Sequence, residues 1–233
     1  MRRTFVILAL LTLGLLTYAL YEGMVAAPTE QTMGEVQRIF YYHVPSAVTA
    51  FTLFLINFVV SIIYLARRNP KVDALAVSTA EVGVVFCTVV LVTGPLWARP
   101  VWGIWWTWDA RLTSTLLLWL IYISYLILRR YSTSGQTPVI AAVLAVFGFL
   151  DVPFVYMANR LFRTQHPQPV YFGGPGSGAD PRMTYALLMN MAAFFCFAAL
   201  VVWLRFRLER ARQDFEETQA LEALLQPDAR SPR

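Results

Sequence analysis

Six apolar stretches, at roughly 4–21, 44–66, 74–96, 112–128, 138–158 and 184–204, occupy more than half of this 233-residue chain. A spanning helix takes about 20 mostly apolar residues. In hydrocarbon a backbone must satisfy its own polar groups, and a helix does so within itself. The expected fold is therefore all-α: a polytopic membrane protein with six transmembrane helices. Length alone would allow one or two soluble domains, but 58% of the residues are hydrophobic and 14% charged, against roughly 25% charged in soluble domains. Residues 1–204 are expected to form one transmembrane domain, and 205–233 a charged tail.

The distribution of charge sets the orientation. With both termini cytoplasmic, the inner side holds Arg2, Arg3, Arg67, Arg68, Lys71, Arg129, Arg130, Arg205, Arg207, Arg210, Arg212, Arg230 and Arg233, which is 13 of the 19 Lys and Arg. The outer side holds the other six, Arg38, Arg99, Arg111, Arg160, Arg163 and Arg182. That asymmetry follows the positive-inside rule, and an even number of spans agrees with it. The formal charge of +5 sits at helix ends and in the tail, so it gives no support to a nucleic-acid partner; membrane lipid is the expected surroundings. Arg2 and Arg3, the first apolar run and Val25, Ala26 and Ala27 also fit a cleavable signal peptide. The run is longer than a usual signal core, which favours a retained helix.

Cys87 and Cys196 fall inside spans three and six and are expected to pack as small hydrophobes. No CxxCH or CxxC occurs. The first outer segment ends in GEVQRIFYYHVP, where Val36, Phe40 and His43 share a helical face; it is expected to lie in the interface and lead into span two. Pro45 suits the first turn of that span. The connections 67–73 and 129–137 are short and basic. The segment 159–183 carries His166 and then GGPGSG, a flexible stretch.

Five of the seven tryptophans, Trp97, Trp102, Trp105, Trp106 and Trp108, lie in one tryptophan-rich outer loop expected between helices three and four. An interfacial belt spreads aromatics over all helix ends and explains one or two of these. Indole offers a large flat apolar surface with one donor, so the cluster reads better as a platform for a flat ligand. Asp109 and Arg111 follow at the start of span four, where Asp109 favours a helix N-terminus. The only two histidines, His43 and His166, fall in outer segments beside this loop. Imidazole is the commonest metal ligand; two imidazoles beside an aromatic platform point to haem. Zinc is a weaker rival, because no Cys or Glu ligand set accompanies the histidines. Arg99 and Arg111 are the nearest cations for haem propionates, since guanidinium grips carboxylates in a bidentate way.

Charges inside spans are costly and usually face the bundle interior. Glu81 in span three and Asp151 in span five, two residues before Pro153, are the instances. Each is expected either to hydrogen-bond across helices, to Asn57, Asn190 or a tyrosine, or to form part of a polar path, with intramembrane support of the outer site a further role for Asp151; Glu81 reads as structural and Asp151 stays open.

At WGIWWTWDARLTS (102–114) the chain resembles the haem-handling protein family, whose mark is a tryptophan-rich outer loop called the WWD domain. YYHVPSA (41–47) is similar to the family segment with the first haem-ligating histidine, and DVPFVYMANRLFRTQHPQP (151–169) to the segment with the second. The six spans and 233 residues are similar to the CcmC branch rather than to the larger CcmF or CcsA. Members commonly carry tryptophan shortly before the second histidine, where this chain has Leu161 and Phe162; an aromatic survives there. The resemblance implies haem b (iron protoporphyrin IX) held by His43 and His166 at the outer face of a bacterial cytoplasmic membrane. It also implies presentation to a haem chaperone, CcmE, for covalent attachment, and association with the ABC transporter subunits CcmA and CcmB and the small membrane protein CcmD. The rival class is a transport subunit whose spans form a path. The spans hold few polar residues for one, and no phosphate-binding loop or other self-contained catalytic motif is present.

Overall fold

The computed structural model of the chain describes residues 2–132, 134–166, 178 and 180–225. Among these residues, seven α-helices make six membrane-crossing units: α1 (Arg2–Tyr21), α2 (Phe40–Arg67), α3 (Pro70–Trp102), α4 (Ala110–Tyr131), α5 (Thr137–Phe149) with α6 (Asp151–Leu161), and α7 (Pro181–Leu225). Among the described residues there is no strand, only an isolated bridge between Glu30 and Gly34.

The fifth unit breaks for a reason written in its sequence. Pro153 has no N–H for the Phe149 carbonyl and its ring crowds that group, so α5 stops at Phe149 and the Leu150 N–H turns back to the Phe147 carbonyl at 3.1 Å. Asp151 sits at this break. By contrast α3 runs unbroken through Pro95 and Pro100, each of which removes one helical bond. It ends only at Gly103, whose φ of 77° is a left-handed cap with its N–H on the Arg99 carbonyl at 3.0 Å. The tryptophan segment is thus only half loop: Trp97 and Trp102 ride on the last turns of α3, and 103–109 alone is non-helical. Pro45 likewise lies inside α2 rather than in its first turn. The helix already starts at Phe40, continuing a 3₁₀ turn at Glu35–Ile39. The GGPGSG stretch, except Gly178, lies outside the described residues.

Between helices in lipid, close packing and hydrogen bonds do the holding. α2 shows one buried face of Ser46, Ala50, Leu53, Asn57, Ser61 and Tyr64 at three- and four-residue spacing, and small residues of α3, such as Ala76, Ala80 and Gly83, meet it. Gly83 is required there, because a Cβ would stand 2.7 Å from Cε1 of Phe54. Phe54 stacks on Tyr122 at 3.8 Å, joining α2 to α4. Asn57 donates to the Ala76 carbonyl at 2.7 Å. α7 packs on α2 and α3, while α1 packs chiefly on α7 and is otherwise exposed.

Two ion pairs lock the end of the bundle opposite the tryptophans. Arg129 grips Asp73 through two 2.7 Å bonds, with both side chains 10% exposed or less. Gln213 reaches the same carboxylate at 3.4 Å. Glu81 takes two bonds from Arg205, at 2.6 and 2.7 Å. This corrects the expected partner: neither Asn57, Asn190 nor a tyrosine meets Glu81. α7 continues as one helix past 204 and delivers a cation from a segment read as tail.

Candidate functional site

At the tryptophan end, the N-terminal part of α2, the C-terminal part of α3, the start of α4 and α6 surround a cavity of about 380 Å³. That is within the range of small-molecule sites, roughly 300–1,000 Å³. His43 and His166 both line it, as do Trp97, Trp102, Trp106 and Arg111. Residues remote in sequence by more than 120 positions therefore share one wall.

His43 is buried, and its orientation follows from one neighbour. Its Nδ1 lies 2.8 Å from Thr93 Oγ1. The Thr93 hydroxyl proton goes to the Val89 carbonyl at 2.7 Å, so Oγ1 can only accept from the imidazole. His43 is then the Nδ1–H tautomer, and Nε2 keeps its lone pair, the form a metal ligand needs. Trp97, one helical turn beyond Thr93, meets the imidazole edge-on at 5.9 Å and 75°, and Phe40 packs on Trp97 at 6.1 Å.

His166 follows α6 and is tied down through its neighbours. The Gln165 N–H donates to Asp109 Oδ2 at 3.2 Å, and the Thr164 hydroxyl to the His166 carbonyl at 3.3 Å. Asp109 is the hub: Oδ1 caps α4 through the Leu112 N–H at 2.9 Å, and Oδ2 also accepts from the Thr107 hydroxyl at 3.1 Å. One carboxylate thus fastens the tryptophan loop, the start of α4 and the second histidine segment.

The two arginines separate. Arg99 donates to the Gly103 carbonyl at its own helix end and does not line the cavity. Arg111 does, and its Nη1 is buried without a partner, as is Trp106 Nε1. Buried donors rarely stay unpaired, so this wall asks for an acceptor such as a carboxylate. The tryptophans divide as well. Trp105 and Trp108 are 56% and 76% exposed and lie outside the lining, with Trp108 edge-on to Trp106 at 5.7 Å. Of the intramembrane acids, Glu81 is paired with Arg205 away from the cavity. Asp151 does not line it either, and its Oδ2 is buried without a partner. Phe162 packs on Phe154 at 5.7 Å and is half exposed, so the Trp-to-Phe difference at that point does not touch the wall.

Sequence reasoning missed Thr93, and it missed the covering segment that brings Glu30, Thr32 and Met33 to the cavity. Backbone N–H groups of Met33 and Thr32 bind the Glu30 carboxylate, the Met33 bond leading in holding its pKa below the ordinary carboxylate value. Arg38 anchors the segment by donating to the carbonyls of Gly23 and Ala27, both at 3.1 Å. An arginine between two segments of one outer loop was the available signal. Among the described residues no group of three or more His, Cys, Asp and Glu is placed to hold a metal ion.

Fold and site together define a polytopic helical membrane protein with a two-histidine, tryptophan-walled cavity at one end of its bundle. The chain matches the family Heme exporter protein C (CcmC) over residues 1–221 and belongs to it. It is 33% identical to the heme exporter protein C of Paracoccus denitrificans over 191 residues, covering 80% of this chain and 78% of the relative. Against the protein of that name from Bradyrhizobium diazoefficiens it is 31% identical, covering 93% and 82%. Against that of Escherichia coli K12 it is 28% identical, covering 86% and 81%.

Proposed function

We propose that this protein handles haem for cytochrome c biogenesis, holding haem b as cargo in the cavity and presenting it to the chaperone CcmE for covalent attachment. The observation that carries the reading is the convergence, on one 380 Å³ cavity, of two imidazoles and two unpartnered buried donors. His43 Nε2 and His166 supply the axial ligands. Trp97, Trp102 and Trp106 form the apolar wall, Arg111 and the Trp106 N–H receive propionate, and Asp109 positions the His166 segment. The exposed Trp105 and Trp108 form the rim that a chaperone meets. Haem, when bound, supplies the iron and the vinyl groups; the protein supplies orientation and exclusion of water.

The charge asymmetry supports a topology with both termini and residues 205–233 in the cytoplasm and the cavity on the outer face of the bacterial cytoplasmic membrane. Its proposed partners in the complex are the ABC transporter subunits CcmA and CcmB and the small membrane protein CcmD. A conduit through the bundle is the second reading. It is disfavoured because Phe54 and Tyr122 stack in the core of the bundle and the buried Asp73–Arg129 pair closes the end opposite the cavity.

The test is an absorption spectrum of detergent-purified protein. Wild type should show a low-spin Soret band, and His43→Ala and His166→Ala should each lose or shift it while still inserting in the membrane. An unchanged Soret band in both variants overturns the ligand assignment, and vesicle transport of haem without the chaperone overturns presentation in favour of a conduit.

A further inference from the structure

A second cavity, of about 390 Å³, lies midway along the bundle on a different face, between α2 and α7 with α3 behind it. Its wall is almost wholly apolar, formed by residues such as Leu53, Ile56, Phe195, Ala199, Trp203 and Phe206. Ile56, Phe195 and Ala199 are exposed, so the crevice opens sideways toward the membrane. From Phe195 to Phe206 it follows ~16 Å of α7 at 1.5 Å per residue. A long apolar crevice that opens sideways takes a hydrocarbon tail.

Cations gather at the end of this crevice that lies away from the tryptophans. The Arg207 guanidinium stands 5.7 Å over the ring of Trp203, itself part of the wall. Trp203 also meets Phe5 of α1 at 5.6 Å, two residues beyond Arg3. Lys71 lies one turn before Leu75, another wall residue. The carboxylates at this end are already engaged: Asp73 with Arg129, Glu81 with Arg205, Glu209 with Arg212. Arg3, Lys71 and Arg207 have no carboxylate partner among the described residues, so the local balance is positive. Basic pockets between spanning helices on the cytoplasmic side bind acidic headgroups.

We infer that this crevice is a binding site for one anionic phospholipid of the inner leaflet, its acyl chain between α2 and α7 and its phosphate beside Arg207. The lipid fills the gap between α2 and α7 beside Trp203, the wall residue that also meets Phe5 of the outlying first helix.

The experiment uses the full chain in nanodiscs of mixed phosphatidylglycerol and phosphatidylcholine, with native mass spectrometry after gentle release. Wild type should retain one phosphatidylglycerol in preference to phosphatidylcholine. Ala199→Trp, which fills the crevice from its open side, should abolish retention. Arg207→Gln, which leaves the wall intact, should cut the preference about fivefold, the effect of one cation near an anionic headgroup. The haem Soret band should be the same in all three, which separates this site from the two-histidine cavity. Retention without headgroup preference in the wild type, or undiminished in Ala199→Trp, overturns the inference. So does an Ala199→Trp protein that keeps its lipid and loses a co-purifying membrane subunit, since the crevice then belongs to a helix.

Discussion

Thr93→Val removes one hydroxyl from the wall of the two-histidine cavity and leaves a side chain of nearly the same shape. The Nδ1–H of His43, 2.8 Å from that hydroxyl, then has no acceptor inside the bundle. An unsatisfied buried donor costs about 1–3 kcal/mol, and the ring escapes the cost by moving its proton to Nε2 or by rotating. Either response takes the lone pair away from the iron position. At about 1.4 kcal/mol per factor of ten, the loss corresponds to a roughly 5- to 150-fold weaker haem site. The 10- to 100-fold effects typical of groups that orient a metal-bound histidine fall in the same interval. The measurement is the rate at which purified haem-loaded protein surrenders haem to an excess of apo-globin, followed at the Soret band. Thr93→Val should release haem at least about fivefold faster, and Thr93→Ser, which restores the hydroxyl, should return to within about threefold of wild type. Wild-type release from Thr93→Val would refute the tautomer argument. Equal acceleration by both variants would show that the methyl group's packing matters and the hydrogen bond does not.

Asp109→Ala should weaken haem binding although Asp109 does not line the cavity, because it frees the His166 segment. It should also lower stability by about 0.5–2 kcal/mol through the lost cap, read as a drop in thermal midpoint in detergent. Arg111→Gln should reduce haem affinity severalfold in titration, and Arg99→Gln should leave it near wild type; equal effects would return the propionate role to both. Asp73→Asn should destabilise the fold by about 3–5 kcal/mol, since it strands a buried Arg129. Glu81→Gln should cost clearly less, its partner Arg205 being 41% exposed; the comparison is made by thermal unfolding.

What the chain settles by itself is what depends on composition and local pattern. Six apolar runs admit only spanning helices, because no other single-chain backbone without strand alternation satisfies its amides in hydrocarbon. Part of the cavity wall was also legible, His43, His166, Trp97, Trp102 and Trp106 among it, since two histidines and a tryptophan-dense loop are scarce enough to stand out. Asp109 as a helix cap was readable from its position before an apolar run, whereas the fifth span was read as one stretch and its break at Asp151 appears only in the structure. The tertiary structure decided the pairings. Thr93 is an ordinary threonine until the register of α2 on α3 brings it to His43. Arg99 and Arg111 are equivalent in sequence, but the left-handed turn at Gly103 draws one onto its own helix end and leaves the other on the cavity wall. Glu81 finds Arg205, and Asp73 finds Arg129, across helices more than 50 residues apart. Partners of this kind are set by how helices slide and rotate against one another, a matter of interlocking side-chain shape that no local spacing encodes.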